Sequence, residues 1–148
     1  MAESNLKFHL HEDRCFVGQL NWIRDDSQLR FSGADELRHF DMFRNKHLPC
    51  VSCSAEQLAS FLDALNLLEV WSWRDAYRSE DCGTIVDDGY HWKFTARFGD
   101  QKCKSSGYNG VPSLADPQTT TVNDSGRYGL LVASFCDIFR IRIPGYNC

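Results

Sequence analysis

The sequence predicts an α+β fold: an antiparallel sheet built from an N-terminal meander and a later hairpin, with two main helices packed on one face. Three observations predict it. Short stretches near the N-terminus alternate apolar and polar residues as half-buried strands do, a central segment carries a helix-start signature followed by an apolar stripe, and a long alternating run ends at the reversal Gly99-Asp100. The 148 residues are 43% hydrophobic and 24% charged, enough for one core. No repeat, low-complexity tract or linker divides them, so residues 1–148 are expected to form a single domain.

The elements follow in order. Lys7-Phe8-His9-Leu10-His11 sets Phe8 and Leu10 on one strand face and Lys7, His9 and His11 on the other. Residues 14–23 alternate more loosely, with Gly18 read as a bulge, and Asp25-Asp26-Ser27 marks a turn before a strand over 28–31. In 36–44, Leu37, Phe40 and Phe43 fit a helix whereas Phe40 and Met42 share a strand face; the preceding meander favours a strand. Ser54-Ala55-Glu56-Gln57 has capping-box spacing, and Leu58, Phe61, Leu62, Leu65 and Leu68 then recur as a helical stripe. After the turn Asp87-Asp88-Gly89, residues 90–98 alternate with Trp92, Phe94, Ala96 and Phe98 on one side and reverse into a strand over 101–106. A loop through Pro112 and Pro117 leads to a last helix over 124–139, striped by Tyr128, Leu131, Val132, Phe135, Ile138 and Phe139.

Composition narrows the function classes. Formal charge is −4, with 16 Lys+Arg against 20 Asp+Glu, and the basic residues occur singly along the chain, so no nucleic-acid partner is expected. The apolar windows 61–73 and 128–143 are broken by charge, and the first ten residues lack the apolar run of a secretory signal. These features predict a cytoplasmic protein with no membrane association. There the seven cysteines are expected as reduced thiols, and the sequon Asn123-Asp124-Ser125 has no role without export.

Motifs with chemical meaning are sparse. His47 and the pair Cys50-x-x-Cys53 have metal and redox spacing, yet residues three apart on an extended strand face opposite sides, and Ser54 rather than Cys50 caps the helix. Structural cysteines are the favoured reading, with no metal site and no cofactor. His9-x-His11 pairs two imidazoles without a matched third ligand. His11-Glu12-Asp13-Arg14-Cys15 departs from the zincin pattern, because Cys15 stands where the second histidine is needed. No nucleophile elbow, phosphate-binding loop or dinucleotide fingerprint occurs, and Cys82 or Cys103 with His91 is not specified by spacing, so no catalytic residue is assigned. Asp75, Glu80, Asp81, Asp87 and Asp88 read as a polar loop, with cation binding or acid–base work as the alternative.

The aromatics Trp71, Trp73, Tyr77, Tyr90, Trp92 and Tyr108 are the most individual feature. Trp71 and Trp92 are assigned to the core. Trp73, Tyr77 and Tyr108, with Asp88 and Asn109, are assigned to an exposed binding patch, because large amphipathic rings suit partner surfaces. Val70-Trp71-Ser72-Trp73, Tyr77, Asp88-Gly89-Tyr90-His91-Trp92 and Ser106-Gly107-Tyr108-Asn109-Gly110-Val111-Pro112 occur in an order that resembles small, poorly characterised bacterial proteins. The resemblance spans about residues 54–140. Some such proteins are immunity- or antitoxin-like, which implies binding rather than turnover. Gly107, Asn109 and Pro112 read as a shaped loop exit, with Gly and Asn suited to positive φ. The expectation is a non-catalytic cytosolic protein-binding module whose acidic residues steer a basic protein partner. The sequence carries no signal for an oligomeric state. The alternative is a small enzyme with a loop site around Asp88, His91 and Asn109.

Overall fold

The computed structural model describes residues 6–14, 18–24, 28–33, 50–83, 90–122 and 126–140. The alternating N-terminal stretches form the expected antiparallel meander of β1 (Lys7–Arg14), β2 (Gly18–Arg24) and β3 (Gln28–Gly33). Gly18 is not a bulge. It opens β2 opposite Arg14, and the register runs unbroken from there to Phe8 opposite Arg24. The segment 36–44 lies outside the described residues.

A short β4 (Cys50–Ser52) pairs with β3 and leads into α1 (Ala55–Leu67). The capping box is closed at both ends: the Ser54 hydroxyl accepts from the Gln57 amide at 3.0 Å, and Gln57 Oε1 accepts from the Ser54 amide at 2.9 Å. After α1 come β5 (Ala76–Arg78), β6 (Tyr90–Phe98) and β7 (Gln101–Tyr108). The ribbon of β8 (Val111–Pro112) and β9 (Thr120–Thr121) and the helix α2 (Arg127–Phe139) complete the described chain. The main sheet has seven strands in the order β4-β3-β2-β1-β6-β7-β5, antiparallel throughout except where β5 runs parallel to β7.

Both helices pack on one face of this sheet, as predicted. Phe8 meets Phe61 of α1 at 4.8 Å and Phe135 of α2 at 6.0 Å between ring centroids, and Trp22 meets Phe135 at 5.7 Å. Alternation sorts the strands so that Phe8, Leu10, Trp92, Phe94, Ala96 and Cys103 point to the helices and are buried. Glu12 shares this buried side, where the Tyr128 hydroxyl donates to its carboxylate at 2.6 Å. Gln57 ties the helices together, since its Nε2 donates to the Ile138 carbonyl of α2 at 3.0 Å. No described helix is long and apolar enough to cross a membrane.

Candidate functional site

Trp92 organises the aromatic cluster from inside. Its indole stacks on Tyr128 at 4.3 Å with an 18° interplanar angle, meets Trp73 edge-on at 6.0 Å and lies over Tyr77 at 6.2 Å. Its Nε1 donates to the Gly110 carbonyl at 2.9 Å. Trp73 and Tyr77 are therefore core residues, which corrects their assignment to an exposed patch. The reason is that both polar tips find backbone hydrogen-bond partners. Trp73 Nε1 donates to the Leu68 carbonyl at 2.9 Å, while the Tyr77 hydroxyl donates to the Pro117 carbonyl and accepts from the Arg74 amide at 2.8 Å. Burial raises the Tyr77 phenol above its usual range, against the opposing pull of the Arg74 amide and guanidinium. Trp71, assigned to the core, is half-buried and donates from Nε1 to Asn66 at 2.8 Å.

The residues around this hub take distinct roles. Gly107 lies inside β7 rather than in a loop, and its need is steric: a Cβ there would sit 1.9 Å from Trp92 Nε1. Asn109 holds φ +56° and is buried, so it shapes the chain behind β7 instead of presenting a side chain for binding. Asp88 lies outside the described residues. Tyr108 alone of the described patch residues is exposed, at 42%, and its ring meets His91 edge-on at 4.2 Å. His91 and Tyr108 border a shallow depression of about 380 Å³ with Arg78, Lys93 and Ser106, and Asn109 is not part of its lining.

The face of the sheet turned away from the helices orders its side chains in cross-strand rows. Lys7, Arg97 and Lys102 are mutual partners across β1, β6 and β7. His9, Thr95 and Lys104 form the next row, then His11, Lys93 and Ser106, then Asp13, His91 and Tyr108. Lys7, Lys93, Arg97, Lys102 and Lys104 are exposed, and none has an ion-pair partner among the described residues. His9 and His11 sit on this face as expected, with ring centroids 6.2 Å apart. Among the described residues no three His, Cys, Asp or Glu side chains gather as a cation site.

A second feature lies where the helices meet the loop after β8. Arg127, the first residue of α2, is buried and bonds to two other segments. Its guanidinium donates to the carbonyls of Leu68 at 3.0 Å, Ser113 at 2.8 Å and Leu114 at 2.9 Å, and pairs with Glu69 at 2.9 Å. A cation at a helix N-terminus opposes that helix's dipole, but here it also satisfies the C-terminal carbonyl of α1, where positive charge is favoured. Around this junction stand the exposed apolar side chains Leu67 at 81%, Leu114 at 51% and Leu130 at 46%. Asp63 lies one helical turn before Leu67, and Asp116 follows Leu114 in the loop. The sequence stripe did not mark these leucines, because Leu67 and Leu130 fall off the buried faces of their helices. Comparison with family models, curated proteins and solved structures finds no match.

Proposed function

We propose that this chain is a non-catalytic, cytoplasmic protein-binding module whose docking surface is the leucine junction around Arg127. The observation that carries the reading is the exposure of Leu67, Leu114 and Leu130, which lie in or next to the segments that Arg127 bonds together. Apolar side chains on a fixed frame give binding energy at small ordering cost. Glu69, Asp63 and Asp116 beside them fit a partner with a basic surface, which their charge would attract on approach. An immunity- or antitoxin-like role, expected from the order of the aromatic motifs, is part of this proposal.

The test places a photocrosslinking amino acid at position 67 or 130 in source cells, with position 104 on the opposite face as control. A protein captured at 67 and 130 but not at 104 is then purified and titrated. The reading expects binding that weakens at least tenfold in Leu67→Asp or Leu130→Asp and weakens with salt. Equal capture at all three positions, or a purified partner indifferent to both substitutions, overturns it.

A further inference from the structure

We propose that the open face of the sheet binds single-stranded nucleic acid through its phosphate backbone. The chain is acidic overall, and its basic residues are scattered in sequence. Strand alternation and register gather five of them, Lys7, Lys93, Arg97, Lys102 and Lys104, on β1, β6 and β7. The acidic residues of the helices, Glu56, Asp63 and Asp137, belong to the other layer, and the cross-strand rows of the open face hold one carboxylate, Asp13, opposite His91. Lys7, Arg97 and Lys102 stand directly opposite one another, at a strand spacing of about 4.8 Å, an arrangement of like charges that costs stability. A bound polyanion removes that repulsion.

The composition of the face favours nucleic acid over an acidic protein. Lysine is depleted from protein–protein interfaces, and such interfaces rely on buried apolar anchors. This face instead is dominated by lysine and arginine, and its exposed aromatic groups are at one end, where Tyr108 meets His91. Nucleic-acid surfaces are strongly positive, and those for single strands add an aromatic ring on which a base stacks. Two shallow depressions lie along the path. One, of about 460 Å³, is bordered by Lys7, His9, Arg97, Lys102 and Lys104. The other, of about 380 Å³, is bordered by Arg78, Lys93, His91 and Tyr108, with Glu80 also in its lining. The geometry suits a strand whose backbone follows the cations and whose unstacked base rests against Tyr108.

Fluorescence anisotropy with a labelled oligothymidylate of about 20 nucleotides tests the proposal on the whole chain at low salt. Binding through five cations predicts a log–log salt slope of about −3.5, falling to about −2 in Lys102→Gln/Lys104→Gln. That double variant is expected to bind at least tenfold more weakly, and Tyr108→Ala roughly tenfold more weakly. Asp137→Asn on α2 is expected to bind as the parent does. Circular dichroism of each variant confirms the fold, which removal of repelling surface charges preserves. Absence of binding at low salt overturns the proposal, as does a double variant that is folded and binds like the parent. Displacement of the oligonucleotide by polyglutamate at equal charge reassigns the face to an acidic protein, and equally tight binding of a duplex excludes the single-strand geometry. The leucine junction is not involved, so failure here leaves the protein-binding reading standing.

Discussion

Arg127 joins three segments that are far apart in sequence, and its four partners define what its loss removes. Arg127→Ala removes the donors to the Ser113 and Leu114 carbonyls and leaves the Leu68 carbonyl with Trp73 Nε1 alone, and is expected to cost about 2 kcal/mol in urea unfolding. Arg127→Lys, with one donor group in place of a fork, is expected to lie between the two. Cys103 gives a different single-residue test. Burial pushes its thiol up to about 12, from 9.0. The folded chain therefore keeps a proton that the unfolded chain releases, and stability is expected to fall as pH rises above 9. The loss is about 1.4 kcal/mol between pH 8 and pH 10, with Tyr77 adding in the same direction above its own ordinary value. Urea titrations at both pH values, compared with Cys103→Ala, isolate the thiol contribution: the variant should lose less. Burial of Cys103 is the default for a cysteine in this chain, but Arg127 was not legible in the sequence as a keystone. A charge before an apolar helical stripe reads as solvated, and the carbonyls that Arg127 reaches are not its sequence neighbours.

At the scale of the element, the long and the capped were legible and the short were not. β1 and β6 alternate over enough residues to declare a period, and α1 announces its start through Ser54 and Gln57. β4 and β5 have three residues each, too few for a period, and exist because a longer neighbour offers them an edge. β5 also runs parallel to β7, so no hairpin turn precedes it as a signal. The capping box hides a second function that local spacing cannot show. Ser54→Ala is expected to cost about 1 kcal/mol, the value of an N-cap. Gln57→Glu keeps an acceptor for the Ser54 amide but loses the donor that reaches Ile138, so its cost, about 1 kcal/mol, measures the tie between helices. A cycle of both single variants and the double, read by urea unfolding, separates the two roles.

For the whole molecule, the layer architecture followed from patterning, but the functional surface did not. Periodicity says which residues share a face and is silent on which face the helices cover. Trp73 and Tyr77 looked available for binding because nothing local reveals that Trp92 and Pro117 close over them. In the same way, net charge concealed an uneven distribution: the helical layer carries Glu56, Asp63 and Asp137, while the sheet face carries Lys7, Lys93, Arg97, Lys102 and Lys104 against Asp13. The sheet order has a further consequence. β1 is central, yet its partner β6 is made long after it, with Lys7 meeting Arg97. On the ribosome the meander can assemble early, but one border of β1 stays without its hydrogen-bonding strand until residue 98 has emerged. During that interval Phe8 and Leu10 also lack Phe135 and the rest of α2, so the first third of the nascent chain spends most of its synthesis as an unfinished template for pairing with its neighbours.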